Sequence, residues 1–512
     1  MVMRSAFLLA ALVTLGASAE PADGRGVPLP PAPVRVVIPD VPAFDAVLAG
    51  AYRRALLGAP DEDDPVTAAW RRTPVGTKLE DQWGKFAPDL PWNWADVLKL
   101  KPRTLGLSLF SAGSLEAVFV IDLPLAVAVP LPPGTAKQTA AGAPYSLVAR
   151  GAGDSAEGDR RMGLAWARSA GWLFLATSEK ALVAALDEAG AGREWKAPLS
   201  GLVAMELDVA ALEKDRYFKR EFLFGPSGEG RVAAALRTES GRLVEVRQGQ
   251  GGSKEAAFVF ETPGAFAAAW EAEGETLWPA LRAALLEPWP DPSPTPVSPL
   301  GPLPPAGAAR AEDRYLVDLQ KPLAGPGAPW EEGDLRAWRE LRAKEPLSGW
   351  GYRVAADGVR TLVFPWPARL LEDLGRACRA TLERRGGRVS EQTVGEVHEL
   401  RLGPGLPALA WKRVGDVVWL GPSAASVADA PAARRETDLV RWARLDLDVL
   451  RRDAARWERV EGPAAPETVR PFSDRILGLL GWMPATRSLS LERRQVPGGW
   501  TERVTFGARN PP

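Results

Sequence analysis

The stretch LAWARSAGWLFLATSEKALVAALDEA, residues 164–189, decides the fold because a weaker copy of it returns later in the chain. The copy, LAWKRVGDVVWLGPSAASVADA, covers residues 409–430. Trp166 and Trp411 are 245 residues apart, and three more identical pairs share that offset: Arg168/Arg413, Leu175/Leu420 and Ser178/Ser423. Several identities at one constant spacing indicate an internal duplication.

The same offset extends the duplication upstream without a gap. LGLSLFSAGSLEAVFV, residues 105–120, aligns with WGYRVAADGVRTLVFP, residues 350–365, and superposes four identical pairs: Gly106/Gly351, Gly113/Gly358, Val118/Val363 and Phe119/Phe364. Two looser matches follow downstream: MELDVAAL from Met205 with RLDLDVL from Arg444, and RLVEVRQ from Arg242 with SLSLERRQ from Ser488. Matches in the same order favour a repeat over chance.

Each copy predicts two hairpins followed by a helix. In the first copy, short β-type runs flank turns at residues 111–114 and 169–171. A helix is then expected to begin at Ser178, with apolar residues at helical spacing: Ala181, Leu182, Ala185 and Leu186. The second copy places Ser423 at the corresponding helix start and Asp416 where the first has Gly171.

Aspartates that follow short strands predict further helix starts. Asp208 and Asp448 each end a β-type run and are placed to cap the next helix. Asp40 and Asp318 repeat the same strand–Asp–helix pattern near the start of each copy. Only the second copy predicts a further amphipathic helix, at residues 368–385, because its counterpart in the first is interrupted by prolines.

These patterns predict an α+β fold with two tandem homologous lobes, each an antiparallel β-sheet of hairpins with flanking helices. The first lobe is expected at residues 34–286 and the second at residues 314–512. Residues 287–313 carry so many prolines that we expect an extended linker between the lobes. Residues 20–33 are predicted to form a flexible lead-in.

The N-terminal sequence predicts export. Residues 1–19 combine an early arginine, a short apolar run and an A-x-A site, which is typical of a secretory signal peptide cleaved after Ala19. We therefore expect a periplasmic or secreted protein with no transmembrane segment in the mature chain. The net charge of −1 gives no basis for a nucleic-acid partner.

The histidine and cysteine content argues against several kinds of active site. Cys378 is the single cysteine, and its place on the apolar stripe of a predicted helix favours a buried structural thiol. His398 is the single histidine, and no nucleophile elbow accompanies it. A zinc site needs several nitrogen or sulfur ligands. The sequence therefore predicts no catalytic, cofactor-binding or metal-binding residues.

Paired carboxylates are the remaining route to catalysis. Asp446 and Asp448 form a D-x-D pair expected to share one strand face, and Glu206 and Asp208 stand at the matching place in the first copy. Two such acids could do acid–base work on a glycan. The sequence favours a structural interpretation, in which the second acid caps a helix and the first faces solvent.

An aromatic cluster provides the best candidate for a binding surface. Trp83, Phe86, Trp92 and Trp94 lie in a proline-containing segment that the second copy lacks. Exposed tryptophans suit glycans, lipids or partner proteins. The alternative is that the cluster closes one end of the first core.

The repeated unit resembles a family of exported bacterial proteins of unknown function. The resemblance rests on a strand, a turn, an apolar strand ending in serine and a helix of Ala and Leu, as in AWARSAGWLFLATSEKALVAAL and AWKRVGDVVWLGPSAASVADA. It implies an α+β fold and an envelope location, with no active site to carry over.

The functional expectation is an exported, non-enzymatic binding or scaffold protein of the bacterial cell envelope. Its partner would be an envelope protein, a glycan or a lipid, and no cofactor is expected. Two alternatives stay open, namely a carboxylate-dependent hydrolase acting on envelope glycans and a carrier of lipid or acyl chains. The leading expectation rests on the duplication of framework residues without any duplicated reactive set.

Overall fold

The structure is a computed structural model. It describes residues 26–47, 94–111, 116–124, 126–148, 164–214, 229–239, 242–251, 256–262, 265–271, 340, 349–355, 360–384, 389–401, 409–421, 423–448 and 486–508. These residues form mostly antiparallel strands with few helices, so the prediction of an α+β fold is confirmed at that level. No helix among them has the length and apolar character needed to span a membrane.

The chain divides into two compact units. Unit 1 takes its residues from Met1–Gly252, Gly478–Thr486 and Pro497–Pro512, and unit 2 from Ser253–Leu477 and Arg487–Val496. The predicted linker, residues 287–313, and the predicted signal peptide lie outside the described residues. The units differ from the predicted lobes, because the chain crosses from one to the other near Gly252 and again within its last strands.

Unit 1 contains eleven described strands and four described helices. The strands are β1 (Val34–Ile38), β2 (Leu105–Ser111), β3 (Glu116–Asp122), β4 (Thr135–Gln138), β5 (Pro144–Val148), β6 (Leu164–Ser169), β7 (Trp172–Ala176), β8 (Val203–Asp208), β9 (Glu229–Glu239), β10 (Arg242–Gln250) and β22 (Gly499–Ala508). The helices are α1 (Val41–Val47), α2 (Trp94–Lys99), α3 (Glu179–Gly190) and α4 (Val209–Glu213). The strands pair antiparallel in the order β4-β5-β6-β7-β3-β2-β1-β8-β9-β10-β22.

Unit 2 contains the other eleven described strands and two described helices. The strands are β11 (Ala257–Phe260), β12 (Ala265–Glu271), β13 (Trp350–Ala355), β14 (Arg360–Pro365), β15 (Ser390–Val394), β16 (Val397–Arg401), β17 (Leu409–Val414), β18 (Val417–Gly421), β19 (Ala433–Glu436), β20 (Leu439–Asp446) and β21 (Thr486–Val496). The helices are α5 (Arg369–Arg384) and α6 (Ala424–Ala428). The antiparallel order is β15-β16-β17-β18-β14-β13-β12-β20-β21, and β11 pairs with β19.

The strands of the two units follow one pairing order over nine positions. In that order β12 takes the place of β1, because it pairs with β13 and β20 as β1 pairs with β2 and β8. The sequence prediction gave this place to the strand before Asp318, which lies outside the described residues. The segment AFAAAWE was missed because alanine-rich runs have low intrinsic strand preference, and pairing on both sides outweighs that preference here.

The strand registers confirm the 245-residue offset at one hairpin and correct it at another. Trp166 lies opposite Leu175 in β6–β7, and Trp411 lies opposite Leu420 in β17–β18. Across the neighbouring pairs, however, Leu175 faces Phe119 whereas Leu420 faces Leu362. The gapless match of Phe119 with Phe364 is therefore wrong by two residues. An even shift keeps every side chain on its original face, so the core pattern is preserved.

The predicted match between the C-terminal strands is also wrong. The hairpin β9–β10 has its counterpart in β21 and β22, since β9 and β21 both span eleven residues and both flank the strand that ends in a capping aspartate. The strand from Arg242 thus corresponds to the strand from Gly499, and not to the segment at Ser488. Within unit 1, β10 pairs with β22, and Val246 lies opposite Arg503, which is 257 residues further along the chain.

Helices cover the sheet of each unit through apolar faces. The four residues predicted at helical spacing in α3 are all buried: Ala181, Leu182, Ala185 and Leu186. In unit 2, Leu371 and Leu374 of α5 pack into a core with Phe364 and Leu420. The predicted second-copy helix is thus confirmed, and the described residues aligned with it in the first copy contain no helix.

The predicted flexible lead-in packs into the core of unit 1 over its last part. Val27 and Leu29 are buried, and Val27 forms a β-bridge with Trp195. Gly106 makes room for this segment, because a Cβ there would lie 2.9 Å from Val27 Cγ1. Its counterpart Gly351 likewise makes room for a core side chain, since a Cβ there would meet Trp270 at 2.9 Å. Close approach explains why both copies carry glycine at this position.

Candidate functional site

The aromatic residues singled out in the sequence cannot be assembled into a surface. Trp83, Phe86 and Trp92 lie outside the described residues. Trp94 is the first residue of α2, and its side chain is not among those described. The predicted binding role of this cluster therefore stays a prediction.

The repeated serines are helix caps in both units, as predicted. Ser178 Oγ accepts the Ala181 N–H at 3.1 Å and donates to Glu116 Oε1 at 3.0 Å. Ser423 Oγ accepts the Ser426 N–H at 3.3 Å, and the Ser426 side chain completes a capping box. Capping by a side-chain oxygen satisfies backbone donors that the first helical turn leaves free.

The carboxylate pair of the second copy is not arranged as predicted. Asp446 ends β20, and its Oδ1 accepts the Asp448 N–H at 2.9 Å, as Asp208 Oδ1 accepts the Ala211 N–H at 2.9 Å. The cap is therefore Asp446, and Asp448 already lies in the following helical turn. The two acids do not share a strand face, because the strand ends between them. Asp448 instead forms an ion pair with Arg487 at 2.9 Å.

A second acid of unit 2 also serves a helix start. Glu399 is buried, and its Oε1 accepts the Ala424 N–H of α6 at 3.3 Å. Its other oxygen accepts hydrogen bonds from Arg401 Nε at 2.6 Å and from Gln392. Burial works to raise the pKa of Glu399, but the bonds from Arg401, Gln392 and Ala424 lower it overall. The carboxylate is thus held ionised at the positive end of a helix.

The helix of unit 1 has an acidic start of different construction. Glu179, the first residue of α3, accepts a hydrogen bond from Tyr145 and forms an ion pair with Lys137 at 3.0 Å. The bond with Tyr145, together with the contact to Lys137, lowers the pKa of Glu179. The same bond raises the pKa of Tyr145. Both shifts favour a protonated tyrosine and an ionised glutamate, which is a structural arrangement rather than an activated nucleophile.

A buried ion triad joins the last two strands of the unit 1 sheet. Arg247 donates from Nε to Glu245 at 2.7 Å and from Nη1 to Glu502 at 2.8 Å. All three side chains are at most 5% exposed. Burial works to lower the pKa of Arg247, but the charges of Glu245 and Glu502 and their hydrogen bonds raise it overall. The triad fixes the pairing of β10 with β22.

The arrangement best suited to ligand contact lies in unit 2, around Trp366. Its core is a cation–aromatic stack in which the Arg413 guanidinium carbon lies 4.4 Å from the centroid of the Trp366 ring. Trp366 is 42% exposed, which is unusual for tryptophan in the described parts of this chain. Such a stack presents a flat, rigid, partly apolar surface together with a fixed positive charge.

A second, half-buried stack lies on the same face of the sheet, and its Trp411 packs against the core of unit 2. Trp411 and Arg413 are two residues apart on β17, so their side chains leave the same face. His398 of the neighbouring strand stacks on Trp411 with ring centroids 5.6 Å apart and planes inclined by 14°. Its Nδ1 lies 3.2 Å from Thr393 Oγ1 of β15. We call these five side chains the Trp366 platform: Thr393, His398, Trp411, Arg413 and Trp366.

The turn beside the platform differs between the two copies. In the first copy, Ala170 and Gly171 both have positive φ, at 51° and 82°, which defines a type I′ turn. In the second, Gly415 has φ 60° while Asp416 has no positive φ, as in type II′. Both types suit a two-residue hairpin, so Asp416 is accommodated where the first copy has glycine. The Asp416 carbonyl then accepts the Trp366 N–H at 2.8 Å and positions that residue.

The same framework positions are covered in unit 1. Trp166 Nε1 donates to the Pro132 carbonyl at 3.0 Å. Arg168 donates to the carbonyls of Val127 and Pro124 at 2.7 and 2.9 Å. The carbonyls of Pro124, Val127 and Pro132 thus fix both side chains in the first copy. In the second copy this segment is replaced by the approach to α5, and the corresponding arginine stacks on Trp366 instead.

The platform was missed in the sequence because its members were counted as framework. Trp166/Trp411 and Arg168/Arg413 were used as evidence for duplication, and identity between copies hid the difference in their surroundings. The available signal was the replacement of Leu123-Pro124 by Pro365-Trp366-Pro367, which places a tryptophan where a covering loop begins. A single histidine on a β-type run gives no sequence signal that its ring stacks on a tryptophan of the next strand.

Comparison of the chain with protein-family models, with curated proteins and with solved structures found no match. The resemblance to exported bacterial proteins therefore rests on the sequence pattern alone. Among the described residues, no group of three or more His, Cys, Asp and Glu side chains is placed to hold a metal ion. Cys378 lies within α5, and its side chain is not among those described.

Proposed function

We propose that this protein is an exported, non-enzymatic binding protein of the bacterial cell envelope, with the Trp366 platform as its ligand surface. In this proposal the units are duplicated lobes. The first serves as a scaffold. In the second, one repeated position is no longer covered by a loop and is available for binding. The observation that supports it most is a contrast between the two copies. Arg168 donates hydrogen bonds to two carbonyls, whereas Arg413 stacks on an exposed tryptophan.

The chemistry of the platform suits a ring-bearing ligand. Tryptophan faces bind flat apolar surfaces at low entropic cost, and a stacked guanidinium adds directional donors. Sugar rings present both an apolar face and hydroxyl acceptors, so glycans fit this combination better than acyl chains do. Backbone hydrogen bonds fix the hairpin that carries Trp411 and Arg413, which supports a preformed surface.

The roles of the acids support the non-enzymatic part of the proposal. Asp208, Asp446 and Glu399 each serve a helix start, and Asp448 has an arginine partner. A general acid or base must be able to reach a substrate proton. Carboxylates occupied by caps and ion pairs are poorly placed for that work.

The test is co-sedimentation with insoluble polysaccharides, using purified peptidoglycan and cellulose as probes. We expect Trp366→Ala to reduce the bound fraction by about tenfold, in line with the loss of one aromatic contact and one cation–π contact. Arg434→Ala is the matched control, because Arg434 is an exposed strand arginine of the same unit that stacks on no aromatic ring among the described residues. Thermal melting checks that each variant is folded.

Two results would argue against the proposal. Undiminished sedimentation of Trp366→Ala would place binding elsewhere on the protein. Release of soluble sugars from either polysaccharide, abolished by changing one carboxylate, would make the protein a hydrolase.

A further inference from the structure

We infer that the platform recognises an acidic glycan, with Arg413 binding a sugar carboxylate while Trp366 stacks on the ring. This inference rests on the proposed function and narrows the ligand to a carboxylated sugar.

The first argument is the free donor capacity of Arg413. Its Nε donates to the Gly415 carbonyl at 3.1 Å, which fixes the guanidinium plane. In the part of the chain that the structure describes, no carboxylate forms an ion pair with it. By contrast, Arg494 of the same unit binds three acids. A guanidinium oriented through one nitrogen keeps two terminal nitrogens for bidentate binding of a carboxylate.

The second argument is the local charge. Lys412 belongs to the opposite face of β17, where it pairs with Glu396 at 3.5 Å, so it does not contribute to the platform. Asp416, in the adjacent turn, is exposed, and within the described part of the chain no ion pair joins it to Arg413. The fixed charge over the Trp366 ring is therefore cationic and favours an anion, although the net charge of the chain is close to zero.

The third argument selects a sugar over an acidic peptide. The anion site contains a flat stack, Arg413 on Trp366, and a second stack, His398 on Trp411, lies on the same face of the sheet. A pyranose carboxylate holds its charge at the edge of a ring, so one residue can fill the arginine and an aromatic face together. A flexible acidic side chain would use the arginine alone and lose more conformational entropy on binding.

The experiment is isothermal titration of the full-length protein with trigalacturonic acid and with its trimethyl ester. The two probes share their rings and differ in charge, so the ester reports stacking without the anion. We expect the acid to bind at least about tenfold more tightly than the ester, as charge-assisted hydrogen bonds imply.

Four variants sharpen the test. Arg413→Ala should weaken binding of the acid about tenfold or more and weaken binding of the ester much less, because the ester loses no charge-assisted hydrogen bond. Arg413→Lys should bind the acid with an affinity between those of Arg413→Ala and the parent protein, since lysine keeps the charge but not the fork of donors. Asp416→Asn should tighten the acid, because it removes a nearby negative charge, and Arg434→Ala should change neither.

The outcomes separate this inference from the proposed function. Equal affinity for acid and ester, both lost in Trp366→Ala, would overturn the inference and leave the binding platform standing. Absence of binding to either probe would overturn the inference. Tighter binding of a hexaglutamate peptide than of the trisaccharide would overturn it in favour of an acidic peptide. Binding that survives in Trp366→Ala would count against both.

Discussion

Replacing Arg247 by methionine tests how much the buried ion triad between β10 and β22 contributes to stability. Arg247 is 4% exposed and donates to Glu245 at 2.7 Å and to Glu502 at 2.8 Å. The substitution keeps much of the side-chain volume but removes the cation that pairs with both buried carboxylates. Removing one partner from a buried ion pair costs about 3–5 kcal/mol, so we expect Arg247→Met to lower the free energy of unfolding by that amount.

The matched control removes all three charges together. Glu245→Leu/Arg247→Met/Glu502→Leu replaces the whole triad by apolar side chains, so none of its three ions has to be desolvated on folding. Such replacements are often neutral or stabilising by about 1–4 kcal/mol. We therefore expect the triple variant to be at least as stable as the parent, although it carries the same methionine.

Urea denaturation followed by circular dichroism gives both values. A loss below about 1 kcal/mol in Arg247→Met would refute the reasoning, because a loss that small is typical of exposed ion pairs. A triple variant as unstable as the single one would also contradict it, since the loss would then come from packing and not from unpaired charge.

Three further expectations concern the caps and acids. Ser178→Ala and Ser423→Ala should each cost about 0.5–2 kcal/mol of stability, and a serine-directed covalent probe should label neither serine. Asp446→Ala should cost a similar amount, whereas Asp448→Ala should cost about 0–1 kcal/mol in the same denaturation assay, because its ion pair with Arg487 is partly exposed. The lowered pKa of Glu399 means that its contribution to stability is present above the ordinary glutamate pKa of about 4.3 and is lost as pH falls through the lowered value. Glu399→Gln should therefore flatten the decline of melting temperature below about pH 4.5, and an unchanged decline would contradict this assignment.

Most of the local structure could be predicted from short-range sequence patterns. The hairpin turns, the helix that begins at Ser178 and the four buried residues of its apolar face all follow from periodicity and turn chemistry. These features depend on residues within a few positions of one another. Their physical causes are therefore visible in a single stretch of sequence.

The errors came from long-range pairing. The two-residue shift in the second-copy hairpin leaves every side chain on its original face, so the apolar pattern gave no sign of it. Two aspartates two residues apart offered equal caps, and only the point where β20 ends makes Asp446 the cap. The alanine-rich β12 is a strand because β13 and β20 pair with it on either side.

The candidate site was the least predictable part. Arg168 and Arg413 are identical in sequence position within their copies, and they differ only in what covers them. In the first copy the covering segment supplies carbonyls to the guanidinium, and in the second an exposed tryptophan takes that place. A difference of this kind lies in tertiary contacts and not in the repeated motif.

The most direct test of the central claim is hydrogen–deuterium exchange of the full-length protein with and without saturating trigalacturonic acid. The account places the ligand on the second copy, so we expect added protection at residues 409–418 and at Trp366. The corresponding hairpin of the first copy, residues 164–176, should exchange at the same rate in both samples. Protection of that first hairpin, or of the segment around Asp446 instead of Trp366, would contradict the account.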